Sequence, residues 1–122
     1  MAQRRWGLHV HEVSLMQDTV IIATRQAREA GAQRIHRIMM RVGALSGAVP
    51  ESLEFAFDIV AKGTPAEGAK LEIERVPVCC FCPTCAQEFE PRDFVCECTR
   101  CGQPSTDIRR GRELQLTSLE VS

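Results

Sequence analysis

From Glu12 onward the apolar residues fall at helical spacing. Val13, Met16, Val20, Ala23 and Ala27 stand three or four positions apart, which predicts an amphipathic helix whose stripe faces a core. Gly31 marks its stop. The period then shortens to two. His36, Ile38, Met40 and Val42 alternate with Arg37, Met39 and Arg41, the signature of a half-buried strand that places His36 on the apolar face. Gly43 to Val49 is a turn-rich connection. Pro50 opens a second helix, with Glu51 and Glu54 at its positive end and Leu53, Ala56, Phe57 and Val60 on one face. Lys62 and Gly63 close it. Leu71, Ile73, Val76 and Val78 read as a second strand, and Glu113 to Val121 as a third after the polar return Thr106 to Gly111. In the third strand Leu114 and Leu116 are out of phase with Leu119 and Val121, so a β-bulge is expected near Thr117 and Ser118.

These elements predict an α+β fold: two helices packed on a small three-stranded sheet, with an insertion ahead of the last strand. Residues 1–9 show no apolar period and are expected to be an N-terminal extension. Residues 10–78 with 108–122 form the expected α/β domain, and residues 79–107 a separate metal-binding unit.

The insertion holds the strongest chemical signal. It contains Cys82-Pro-Thr-Cys85 and Cys98-Thr-Arg-Cys101, with twelve residues between the pairs. Each Cys-x-x-Cys turn brings two thiolates toward one ion, and two turns facing each other close a tetrahedral sulfur shell. Soft sulfur in tetrahedral array selects zinc over calcium or magnesium, with an iron–sulfur centre as the weaker competitor. A closed four-thiolate shell has no open position, so the zinc is expected to be structural, in a four-cysteine site of zinc-ribbon type. Cys79, Cys80 and Cys96 remain. Cys79 and Cys82 share the same spacing, but Cys79 and Cys80 continue the apolar strand Val76-Pro77-Val78, so the spare cysteines are expected to be small, partly buried hydrophobes, with redox sensing or ligand exchange as the sharper alternative.

Composition narrows the field. The chain has 122 residues, 44% hydrophobic and 25% charged, with a formal net charge of −1, as an ordinary globular domain has. No apolar run approaches the roughly 20 residues of a membrane span, and no apolar h-region follows Arg4 and Arg5, so a cytoplasmic protein is expected. Seven cysteines in such a setting point to thiols that bind metal instead of pairing. Arg92, Arg100, Arg109, Arg110 and Arg112 flank the cysteine turns, but Glu88, Glu90, Asp93, Glu97, Asp107 and Glu113 are interleaved with them. A phosphate-tracking surface needs net positive charge, so nucleic acid is not an expected partner. The three histidines, at positions 9, 11 and 36, offer no credible His/Glu/His hydrolase constellation, and no enzymatic activity is expected.

The N-terminal run His9-Val10-His11-Glu12 is, on its residues alone, the first turn of a helix. In combination it says more. His11-Glu12-Val13-Ser14-Leu15-Met16-Gln17, Val42-Gly43-Ala44-Leu45-Ser46-Gly47, Pro50-Glu51-Ser52-Leu53-Glu54-Phe55-Ala56-Phe57, the two cysteine turns, Gly111-Arg112-Glu113-Leu114 and Leu119-Glu120-Val121 together resemble the HypA/HybF hydrogenase nickel-incorporation proteins, in order, over residues 10–122. The resemblance implies a nickel metallochaperone that loads the large subunit of [NiFe]-hydrogenase with a partner GTPase, as monomer or homodimer. It implies a nickel site at His11 and Glu12, and structural zinc on Cys82, Cys85, Cys98 and Cys101. Nickel(II) accepts nitrogen and oxygen donors in square-planar or tetragonal array, which suits an imidazole flanked by backbone amides. In the family the motif opens the chain and the terminal amine joins the nickel shell. Here nine residues precede Val10, which stands where the family has its first Met, so the expected native start is residue 10, read as Met. The rival expectation is a zinc-ribbon adaptor binding protein or nucleic acid, without a nickel role.

Overall fold

A computed structural model describes the backbone of residues 2–122 and the side chains of residues 12–122. The side chains of His9 and His11 lie outside the described residues.

Helix α1 spans Ala2–Glu29 and so begins well ahead of the Glu12 start that the apolar period marks. The reason is local. No proline precedes Pro50, Gly7 is the one glycine before Gly31, and Ala2, Gln3, Arg4 and Arg5 are good helix formers. Apolar periodicity reports which part of a helix is packed, not where hydrogen bonding starts. Met16, Val20, Ala23 and Ala27 form the buried stripe, all at most 4% exposed. Val13 departs from it at 40% exposed. Thr19 is buried in the same stripe, and its hydroxyl donates to the Leu15 carbonyl at 2.9 Å, which satisfies a polar group that burial would otherwise penalise. The helix ends as its glycine predicts: Gly31 has φ +77° and the Ala32 N–H reaches back to the Ala27 carbonyl, a Schellman closure.

Strand β1 (Ile35–Gly43) leads to α2 (Pro50–Val60) and then to β2 (Lys70–Val76), which pairs parallel with β1. After a second small sheet of β3 (Cys79–Cys82), β4 (Gln87–Phe89) and β5 (Asp107–Arg110), the chain returns as β6 (Leu114–Val121), antiparallel to β1. The first sheet therefore has the order β2-β1-β6, and the second β4-β3-β5. The two helices cover one face of the first sheet, where Ile35, Ile38, Met40 and Val42 meet Leu53, Ala56 and Phe57 of α2. The other face is polar. Arg37 pairs with Glu72 at 2.8 Å and Arg41 with Glu74 at 3.2 Å across the β1–β2 seam.

Two bulges set the register of this sheet. In β6, Met39 pairs with Ser118 and Met40 with Leu116, so Thr117 is the extra residue, where the phase change in the apolar pattern predicts it. The Thr117 hydroxyl donates to the Met39 carbonyl at 3.0 Å. The bulge lets Leu114, Leu116, Leu119 and Val121 all pack on the core. The second bulge corrects an expectation. Ile35 pairs with Val121 and Arg37 with Glu120, leaving His36 unpaired. The extra residue inverts the phase at the start of β1. Ile35 takes the buried place, and His36 is exposed, its Nε2 at 2.6 Å from the Ser122 hydroxyl. It is not the core histidine that strict alternation predicts.

The sheets join through a close backbone crossing. The Gly43 N–H donates to the Glu113 carbonyl, the Ala44 N–H to Val76 and the Leu45 N–H to Gly111. A Cβ at Gly43 would collide with the Gly111 carbonyl, so this glycine is required by close approach. Gly111 has φ +120°, and a Cβ there would lie 2.9 Å from the Val78 Cα.

Candidate metal centre

The two cysteine turns are built alike. Cys82 ends β3, and the chain turns back through Cys85 into β4. After Cys85 the backbone enters the left-handed region at Ala86 (φ 54°), and after Cys101 it does so at Gly102 (φ 76°). In both turns backbone N–H groups point at the first sulfur. Cys85 N–H lies 3.4 Å from Cys82 Sγ, and the Arg100 and Cys101 N–H groups lie 3.4 and 3.5 Å from Cys98 Sγ. Glycine meets the left-handed requirement freely, whereas alanine bears a steric cost of about 1 kcal/mol.

All four sulfurs of Cys82, Cys85, Cys98 and Cys101 lie within 4.8 Å of one another. Cys82 Sγ is 3.6 Å from Cys101 Sγ, and Cys85 Sγ is 3.9 Å from Cys98 Sγ. A tetrahedral shell with zinc–sulfur bonds of about 2.3 Å has sulfur–sulfur edges of about 3.8 Å, close to the two edges just given, so these residues fit zinc with small adjustments. Their acidities are split. N–H groups of Cys101 and Arg100 lower the Cys98 thiol to about 6, while the hydrogen bond with Cys101, followed by burial, pushes Cys85 up to about 12. Crowded thiols cannot all ionise beside one another, so one carries the charge and its neighbours hold protons. A divalent cation removes that conflict.

Of the remaining cysteines, Cys79 is a buried free thiol, as expected, whereas Cys80 and Cys96 depart from the expectation. Cys80 and Cys96 form a disulfide, with their Cα atoms 6.2 Å apart. The expectation that none of the thiols pair is corrected by geometry. Cys80 and Cys82 share one face of β3, and Cys96 and Cys98 share the same two-residue spacing on the facing segment, so here the turns that gather the ligands also set Cys80 opposite Cys96. Those matching Cys-x-Cys spacings were the signal in the sequence. Cys79 points to the opposite face of β3, where its Sγ lies 3.1 Å from the Arg110 guanidinium and 3.5 Å from the Glu88 carboxylate. Burial, foremost, raises its thiol pKa.

Two of the arginines beside the module are paired with carboxylates. Arg110 pairs with Glu88 at 2.7 Å, and Arg109 grips Asp107 with two hydrogen bonds while its guanidinium stacks 4.1 Å from the Phe81 ring centroid. These two pairs offset the positive charge of Arg109 and Arg110.

At the other end of the chain, Glu12 lies at the start of the described side chains. Its Oε2 accepts the Val49 N–H at 2.7 Å. Val49 is the N-cap residue of α2 and has no side-chain cap of its own. Glu12 therefore supplies from another helix what a capping-box glutamate supplies from within, and it adds negative charge near the positive end of α2. The family resemblance implies a nickel role for Glu12 beside His11; the sequence carries no sign of this bond to residue 49.

Fold and site together define a small α+β protein with a closed four-thiolate metal module between its last two major strands. Residues 10–121 match the family model for HypA, hydrogenase/urease nickel incorporation metallochaperones. The hydrogenase maturation factor HypA of Picosynechococcus sp. is 49% identical over 112 residues, covering 92% of this chain and 99% of its own length. That of Chloroflexus aggregans is 46% identical over 113 residues, with the same coverage. The solution structure of a HypA protein superposes with a TM-score of 0.69 at 24% identity, covering 93% of this chain and 97% of the other. That of the nickel metallochaperone HypA from Helicobacter pylori gives 0.63 at 23%, covering 90% and 96%. The chain belongs to the HypA family. It is a nickel metallochaperone of hydrogenase maturation whose cysteine cluster suits structural zinc. Among the described residues no helix is long and apolar enough to cross a membrane.

Proposed function

We propose that the chain carries nickel(II) on a site centred on His11 and Glu12 and holds structural zinc on Cys82, Cys85, Cys98 and Cys101. It delivers the nickel to the large subunit of [NiFe]-hydrogenase with a nickel-incorporation GTPase, in the cytoplasm, and catalyses no reaction itself. The family match over residues 10–121 carries this reading, and the sulfur geometry supports the zinc assignment. Zinc, when bound, supplies four strong bonds that organise residues 79–107. These residues have too little apolar surface to order themselves.

Nickel is cargo, and its site must release it. Glu12 supports such a site by anchoring its turn of α1 to the start of α2 through Val49, which holds the neighbouring His11 backbone beside the loop that precedes α2. The α/β part, residues 10–78 with 108–122, carries nickel, and the zinc part presents a second surface. Residues 1–9 are an extension ahead of the motif. The working unit is a monomer or homodimer.

Isothermal titration of nickel into the zinc-loaded chain tests the assignment. His11→Ala abolishes specific nickel uptake and leaves zinc bound and the fold intact. Unchanged nickel binding by His11→Ala would remove this site.

A further inference from the structure

We propose that Cys80 and Cys96 form a thiol–disulfide exchange site, and that its oxidation state sets how firmly the adjacent module keeps zinc. The consequence for zinc rests on the four-cysteine assignment above. The placement of the pair carries the proposal. Cys80 lies two residues before ligand Cys82, and Cys96 two residues before ligand Cys98. The bond joins the central strand of the second sheet, where Cys80 pairs with Phe89 on one side and Ile108 on the other, to the segment that feeds the second cysteine turn. Cys96 is itself held by its carbonyl, which accepts the Ser105 N–H at 2.8 Å. Disulfide and metal thus tie the same two turns together at neighbouring points. Cys79 does not compete for either sulfur, since it faces Arg110 and Glu88 across the strand.

The two sulfurs differ in access. Cys80 is 0% exposed, and Cys96 is half-buried. A small thiol therefore attacks at Cys96. Its thiolate forms a bond to Cys96 Sγ, the Cys80–Cys96 bond breaks, and Cys80 leaves as a thiolate that takes up a proton. A second small thiol attacks the mixed disulfide, restores the Cys96 thiol and departs as a small disulfide. Two electrons pass from two thiols to the protein. A small disulfide reverses the sequence.

With the bond in place, loss of zinc leaves the turns tethered and ready to rebind. With it reduced, the zinc-free turns separate. The bond spans 16 residues of sequence. Closing a loop of that size is worth about a hundredfold in an equilibrium constant, and this sets the scale of the expected change in zinc affinity.

Cysteine mapping and zinc competition test both parts on the full chain. Alkylation of the zinc-loaded protein without reductant, followed by mass spectrometry, is expected to find Cys80 and Cys96 in one cross-linked peptide. Competition with a chromophoric chelator, before and after treatment with glutathione that is then removed under anaerobic conditions, is expected to show zinc held roughly thirtyfold to a hundredfold less tightly after reduction. Cys96→Ser is expected to match the reduced protein from the start and to be insensitive to glutathione. Free, alkylated Cys80 and Cys96 in the untreated protein would overturn the proposal. So would equal zinc affinity of the wild-type chain before and after reduction, a comparison that needs no variant to fold. Absence of zinc in both states would contradict the zinc assignment itself, and with it the proposed consequence, while the mapping would still report the bond.

Discussion

Glu12 joins two roles in one carboxylate. It belongs to the pair proposed above to hold nickel, and its Oε2 accepts the N–H of Val49 at the start of α2. Removing an N-terminal acceptor of this kind costs about 1 kcal/mol. Glu12→Ala is therefore expected to lower thermal stability by that amount even in the absence of nickel, as read by a denaturation midpoint. No change in the metal-free midpoint would show that the bond contributes nothing. The cysteines give a second expectation at this scale. At neutral pH Cys98 is largely thiolate, with its pKa lowered to about 6, whereas Cys85, pushed up to about 12, and Cys101, also raised, carry protons. Zinc must displace at least those two protons. Its apparent affinity is expected to fall by at least about a hundredfold for each pH unit lost near 7, and more steeply below 6, where Cys98 also protonates. Chelator competition across pH 6 to 8 measures the slope, and a flat profile would contradict the four-thiolate shell.

At the scale of elements, the crossing of β1 with the Gly111–Glu113 segment is the tightest joint in the fold. Gly43→Ala would drive a methyl into the Gly111 carbonyl. It is expected to destabilise the protein by about 1–3 kcal/mol, seen as a lower denaturant midpoint; a neutral effect would mean that the joint is loose. Gly43 and Gly111 both stand out in the sequence as turn residues, but they approach each other from distant parts of the chain, and no local pattern reports it. The same limit explains the rest. The Thr117 bulge was legible because it shifts the phase of four apolar residues within one strand. The His36 bulge was not, because it precedes the periodic part of β1 and leaves no phase to compare. The two Cys-x-x-Cys turns were legible as a metal site from spacing alone. The strands β4 and β5, at three and four residues, are too short to show a period, and the left-handed backbone at Ala86 is hidden behind a residue that normally avoids it. The start of α1 was misplaced because its first residues have helix propensity without apolar periodicity.

At the scale of the molecule, two sheets divide the labour. The first, with its helices, buries the core and carries the N-terminal motif. The second has few apolar contacts and depends on sulfur, four thiols for metal and two in a disulfide. The division predicts that cargo and structural metal are independent. Nickel should load onto a chain that keeps its zinc, and neither ion should displace the other. Elemental analysis of the full chain, purified with zinc, saturated with nickel and then passed through a desalting column, measures this directly. The expected result is one zinc and one nickel per chain, with nickel alone lost in His11→Ala. A chain in which nickel enters only as zinc leaves, with their sum fixed at one, would contradict the account.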